Sequence, residues 1–336
     1  MIQVESLVKK YGNHTAVDQL SFTVEKGQIY GFLGPNGAGK STTMNIMTGY
    51  IAANSGTVTI NGYDILKEPE KAKRCIGYLP EIPPLYTDMT VQEYLFFVAE
   101  LKKVPKKERT DHVGEIMDMT QITDVKDRLI KNISKGYKQR VGLAQALIGN
   151  PEVLILDEPM VGLDPKQIIE MRDLIKKLSK DCTIILSSHI LSEVSAVCDH
   201  ILIISNGKLA ASGSPQELQE MMRTTTELEI TVLGTKDNAE KILQRIDGIE
   251  SYEAEPVEEE DTVMIRVRTA GGEDMRKELS IALSKEGMPI LSMNRIEKSL
   301  EDIFLKLTES EAGEKENSDA DDAEERKGES GDGSDL

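Results

Sequence analysis

The 336-residue chain carries 40 Lys and Arg against 58 Asp and Glu, a formal charge of −18, with 39% hydrophobic and 29% charged side chains. That is a globular composition, long enough for two domains at roughly 100–200 residues each. It excludes a chain that crosses a bilayer itself, since runs such as Val153–Leu156 fall far short of the roughly 18–20 apolar residues of a spanning helix, and its acidic balance, with no basic stripe, argues against nucleic acid.

Met1–Val8 lacks a basic start, a long apolar run and a small-residue cleavage site, so no secretion signal is read and a cytoplasmic location is expected. Val4–Val8 and Leu20–Val24 read as strands, and Gly27–Leu33 reads as a third that runs into a glycine-rich loop. A helix is expected over about Lys40–Thr48, then a strand over Thr57–Ile60 turning at Asn61-Gly62. Helical spacing over Val91–Lys102, resumed over Lys106–Met119, predicts a mostly helical insertion, about residues 82–150. Helix Lys138–Ile148, strand Val153–Asp157, helix Gln167–Leu178, strand Thr183–Ser187, helix Leu191–Val197 and strand His200–Ile204 then alternate. Such alternation implies an α/β fold with a largely parallel sheet covered on both faces. Cys75, Cys182 and Cys198 are too few and too widely spaced for a disulfide framework or a zinc site, and read as small buried hydrophobes.

A helix over Pro215–Arg223 ends the first domain, 1–225. Strand Leu228–Leu233, helix Asp237–Arg245, strands Ile249–Ala254 and Thr262–Val267, helix Met275–Glu286 and strand Ile290–Arg295 follow. Their βαββαβ order predicts a small α+β, ferredoxin-like domain over 226–308. Ser299 with Asp302 suits the cap of a last short helix whose apolar side is Leu300, Ile303, Phe304 and Leu307. Residues 309–336 hold twelve acids, three bases and no aromatic or β-branched residue, which predicts a disordered acidic tail, either solvating or interacting.

The chemistry begins at Gly34-Pro35-Asn36-Gly37-Ala38-Gly39-Lys40-Ser41, which fits G-x-x-x-x-G-K-[ST] between an apolar strand and a helix. Its glycines let successive amides turn toward phosphate oxygens, with the helix N-terminus adding positive potential. Lys40 is expected to reach the β- and γ-phosphates, Ser41 to ligate Mg2+, and Thr42 to contact the α-phosphate side. The buried strand Val153–Asp157 ends in a carboxylate suited to Mg2+, and Glu158 suits a general base acting on water.

Together these features resemble the nucleotide-binding subunit of ATP-binding cassette (ABC) transporters over about Met1–Ser214. Tyr11, ahead of the phosphate loop, matches the aromatic residue that stacks on adenine in that family. Ile133-Ser134-Lys135-Gly136-Tyr137-Lys138-Gln139-Arg140 occupies the place of the family signature, Gly162-Leu163-Asp164 matches the loop that contacts the opposite subunit, and His189 matches the switch histidine. The resemblance implies a P-loop ATPase that binds ATP and Mg2+ and works as a head-to-tail dimer, either of two copies or as a mixed pair. Ser134 and the Gly136 amide of one subunit would grip the γ-phosphate held by the other, so ATP glues the dimer and hydrolysis opens it. His189 would bond the γ-phosphate and help hold the water; His14, His112 and His200 read as surface or packing residues.

Two segments depart from the family pattern. The signature usually reads Leu-Ser-Gly-Gly-Gln, whereas Ile133, Lys135 and Tyr137 stand at its first, third and fifth positions. Lys135 either strengthens the dimer contact or points to solvent. Glu81 in Ile76-Gly77-Tyr78-Leu79-Pro80-Glu81 stands where the family usually has a glutamine that senses Mg2+. Both departures, and the appended domain, resemble the ATPases of ABC-2 type exporters. That implies a subunit that powers a separate membrane permease from the inner face of the membrane. Residues Ile82–Phe97, with Tyr86 and Met89 as exposed apolar cues, would receive it. A soluble, non-transport ABC ATPase is the rival reading; a GTPase is disfavoured, because no Asn-Lys-x-Asp motif occurs.

Overall fold

Strands β1 (Ile2–Tyr11) and β2 (His14–Val24) form an antiparallel hairpin longer than the sequence pattern predicts. Ser6 and Gln19 adopt left-handed backbone, with φ of 45° and 51°, and the register shifts beside them. Bulges of this kind break the period-two alternation on which a reading from sequence depends. The computed structural model describes residues 1–221, 226–257, 261–269 and 274–296. Two compact units meet in the chain between Pro215 and Gln216.

In the first unit the hairpin is followed by β3 (Ile29–Leu33), α1 (Lys40–Met47), β4 (Ser55–Ile60), β5 (Tyr63–Asp64), α2 (Pro69–Arg74) and β6 (Ile76–Leu79). Then come α3 (Val91–Leu101), α4 (Arg109–Met119) and α5 (Lys135–Leu147), the helices of the insertion. The unit continues with β7 (Val153–Leu156), α6 (Pro165–Leu178), β8 (Thr183–Ser188), α7 (Leu191–Ser195), β9 (His200–Ser205) and β10 (Lys208–Gly213), and α8 (Pro215–Met221) begins at its end. Strand β6, the edge strand β10 and helix α2 are elements that the sequence pattern did not reveal.

Among the described residues these strands make two sheets. One is antiparallel in the order β2-β1-β4-β5; the other runs β10-β9-β3-β8-β7-β6, parallel from β9 to β6 with β10 antiparallel at its edge. The expectation of a largely parallel sheet therefore holds for the second sheet alone. Helix α1 contributes Met44, Ile46 and Met47 to a core that also takes Val4, Leu7 and Leu20 from the first sheet and Ile155, Ile185 and Leu202 from the second. Phe22 of β2 meets Phe32 of β3 edge to face at 5.1 Å, adding aromatic contact to area burial where the sheets converge. Helix α1 ends in a Schellman motif: Gly49 takes φ of 66°, its amide donates to Ile46 O and the Tyr50 amide to Asn45 O. Helix α5 lies against β6 because Gly77 and Gly142 carry no Cβ; one on Gly142 would stand 2.7 Å from Leu79 and Pro83. Cys182 and Cys198 are buried as expected, but Cys75 is half-buried: it caps the end of α2, between the exposed Arg74 and the start of β6.

The second unit carries β11 (Thr226–Leu233), α9 (Lys236–Leu243), β12 (Ile249–Pro256), β13 (Thr262–Thr269), α10 (Arg276–Lys285) and β14 (Ile290–Ile296). Its antiparallel sheet runs β12-β13-β11-β14, the order of a ferredoxin-like split sandwich. Leu228, Ile230, Ile265, Val267, Leu243, Leu279 and Leu283 make its own core. The expected Ser299–Asp302 helix start and the acidic tail lie outside the described residues.

Candidate nucleotide and catalytic site

The phosphate-loop motif spans the turn between β3 and α1. Gly37 and Gly39 take φ of 84° and 103°, values that only glycine adopts without strain, and Gly39 caps α1 with no side chain. A Cβ on Gly34 would overlap the Ile204 carbonyl, so the loop starts pressed against β9, and the Gly207 amide donates to Ala38 O at 3.0 Å to hold its far side. Lys40 folds over the loop, its Nζ donating to Gly34 O at 2.7 Å and Pro35 O at 3.2 Å. Burial draws the Lys40 ammonium below the ordinary lysine value, while the Glu158 and Asp157 carboxylates pull the other way.

Asp157 and Glu158 follow β7 directly and are only 5% and 8% exposed. The Ser187 hydroxyl donates to Asp157 Oδ1 at 2.6 Å and accepts from the Glu158 amide at 2.9 Å, so one serine of β8 fixes both acids. The Ser41 hydroxyl approaches the same Asp157 oxygen at 3.4 Å. Glu158 sits at φ of 48°, a left-handed conformation costing roughly 1–3 kcal/mol for a non-glycine residue. Both its carboxylate oxygens lie 3.1 Å from His189 Nδ1. Just ahead of His189, Ser187 is tied as above and the Ser188 hydroxyl donates to Glu193 at 2.9 Å, which steadies the loop carrying the histidine.

A cleft of about 410 Å3 collects Tyr11, Asn36, Gly37, Gly39, Lys40, Ser41, Thr42, Glu81, Glu158 and His189. Tyr11 ends β1, half exposed, with the Lys9 ammonium 5.2 Å from its ring centre. Asp157, Gly34, Pro35 and Ala38 support the cleft without lining it. His14, read from sequence as a surface or packing residue, lines it together with Ala16 and Val161. Ser187 was missed as a functional residue, because a serine inside an apolar strand carries no motif.

Ser134, Gly136 and Asp164 do not line this cleft. Ser134 is the N-cap of α5, which starts three residues earlier than the expected Lys138, and accepts from the Tyr137 amide. Asp164 caps α6 in a reciprocal box with Gln167. Tyr137 donates its hydroxyl to Asp124 at 2.7 Å. The Lys135 side chain, exposed as a whole, lays its ammonium against Gly162 rather than simply pointing to solvent. Met89 is half-buried, not exposed; Ile82 is the apolar residue left out, 82% exposed, beside Tyr86 at 56%.

The family model described as ABC transporter matches residues 17–161. Over 309 residues the chain is 38% identical to the bacitracin transport ATP-binding protein BcrA of Bacillus licheniformis, covering 91% of this chain and 97% of that protein. It is 33% identical over 312 residues to the linearmycin resistance ATP-binding protein LnrL of Bacillus subtilis (strain 168), covering 92% and 98%. A solved ATP-binding subunit of an ABC transporter superposes with a TM-score of 0.61 at 30% identity, over 66% of this chain and 92% of that one. The chain belongs to the ATP-binding proteins of ABC transporters, and its first unit is a P-loop ATPase cassette of that family.

Proposed function

We propose that this chain is a Mg2+-dependent ATPase that closes on ATP as a head-to-tail dimer and drives export through a separate membrane permease. The observation that carries the hydrolytic step is the Glu158–His189 pair at the cleft beside the phosphate loop. The Glu158 carboxylate, strained into place, takes the proton of the attacking water. With Nδ1 turned to Glu158, the His189 ring has Nε2 left for the γ-phosphate. Lys40 supplies the charge that meets the β- and γ-phosphates, and Tyr11 offers a face to the adenine. Ser41 and Asp157 are hard oxygen donors facing one another, which fits Mg2+, and Glu81 adds a carboxylate on the rim of the cleft. When bound, Mg2+ neutralises charge developing on the phosphates.

Dimer closure is supported by Ser134 and Asp164, both exposed and away from their own chain's cleft, where a second subunit could meet them, with Gly136 beside Ser134 in the first turn of α5. Among the described residues no helix is long and apolar enough to cross a membrane. The exposed Ile82 and Tyr86, next to Glu81, offer apolar surface to a permease, which would hold the chain at the inner face of the membrane. The transport and resistance functions in the names of the two Bacillus proteins support the export direction. Glu158→Gln is expected to cut phosphate release by about 100-fold or more while leaving an ATP-bound dimer in sedimentation; an unchanged rate would remove Glu158 from the mechanism. Purification from detergent-solubilised membranes is expected to bring a polytopic partner with the chain, and recovery from the soluble fraction alone would favour the non-transport ATPase.

A further inference from the structure

We infer that Gln167 and Lys135 are positioning residues that lock the first turn of α5 to the start of α6. The signature segment and the Gly162–Asp164 loop then move as one face in dimer closure, an inference that deepens the ATP-driven dimer and rests on it. The contact is reciprocal, each segment presenting a bare glycine to a side chain of the other. A Cβ on Gly136 would stand 2.7 Å from Cδ and Oε1 and 2.8 Å from Nε2 of Gln167, and one on Gly162 would overlap the Lys135 ammonium with Cε at 2.8 Å. The Gln167 carboxamide is held from the other side as well, since its Oε1 accepts from the Asp164 amide at 3.4 Å, and the Gln167 backbone amide completes the box by donating to Asp164 Oδ1 at 2.9 Å.

One turn further along, the buried Arg140 guanidinium pairs with Glu170 of α6 and donates to Gln121 at 2.8 Å. Gly136 and Arg140 are four apart and Gln167 and Glu170 three apart, so each pair shares a helix face and the two helices touch at two successive levels. Fixed rotation at this crossing sets where the Ser134 hydroxyl and Gly136 amide aim, and groups that grip a phosphate lose most of their effect when misplaced by an ångström. Lys135, which departs from the family signature, thus serves the signature through Gly162, and Gly136 is needed to make room for Gln167.

The test is ATP-dependent dimerisation of the full chain in the Glu158→Gln background, read by sedimentation. Lys135→Ala and Gln167→Ala are each expected to weaken the dimer about tenfold, with the monomer's affinity for a fluorescent ATP analogue retained, because neither residue lines the cleft. Gly136→Ala should weaken it too, although alanine is the better helix former. Gly136→Ala combined with Gln167→Ala should dimerise no worse than Gln167→Ala alone, because the clash is gone. Equal loss from Gly136→Ala with and without Gln167, or unchanged dimerisation in both Lys135→Ala and Gln167→Ala, would overturn the inference. A Glu158→Gln parent that stays monomeric with ATP would instead remove the dimer reading, and this inference with it.

Discussion

Asp157 owes its geometry to a serine thirty residues away. Pairing of β7 with β8 sets Leu156 opposite Leu186, which brings Ser187 beside the two acids that follow β7. Ser187→Ala removes one hydroxyl and leaves both an Asp157 oxygen and the Glu158 amide short of a partner, a loss of about 1–3 kcal/mol in stability. Mg2+ affinity is expected to fall roughly tenfold, because Asp157 would lose the bond that orients it. Magnesium titration of ATPase activity beside a denaturant melt checks both. Lys40, Ser41, Asp157 and Glu158 were legible as candidates because motif spacing marks them, and His189 through the family resemblance. Ser187 and His14 were not, since their place depends on strand register and on how the β1–β2 hairpin turns toward the phosphate loop.

At the ends of elements, side chains from distant segments meet needs that local patterns do not announce. The last carbonyls of a helix have no partner within it. For α5 they are met by Lys102, just past the end of α3, whose Nζ donates to Ala146 O at 3.0 Å and Ile148 O at 2.8 Å. Burial of that ammonium pushes its pKa down to about 8 from 10.5. Between those values the unfolded chain binds more protons than the folded one, so stability rises with pH through this window, and the cost of the charged form is fully present below it. Compared with Lys102→Met, the parent is therefore expected to gain in urea midpoint between pH 7.5 and 10; a gap that does not change with pH would deny the burial. The same scale explains the boundary errors: α4 starts at Arg109 instead of Lys106, because Pro105 opens a turn in which the Glu108 amide bonds back to Pro105 O.

Among the described residues, the core between the two sheets of the cassette and the core inside the ferredoxin-like sandwich share no residue. Calorimetry of the intact chain is expected to show two unfolding transitions. Mg·ATP in the Glu158→Gln variant should raise only the one belonging to the cassette, by about 2.7 kcal/mol of stability at a hundredfold excess over Kd. A single transition, or an equal shift of both, would contradict the separation.

From sequence alone came the phosphate loop, the acids after β7, most of the elements in their order and the reading of a larger α/β part followed by a smaller α+β one, because each is written in local spacing and hydrophobic period. Tertiary structure decided what no local signal encodes: that β1, β2, β4 and β5 leave the parallel sheet to form their own, that Ser187 serves both acids, and that Lys135 lies on Gly162 and Gln167 on Gly136. Those outcomes depend on which strands pair and which helix faces touch, and such contacts join residues that the chain keeps far apart.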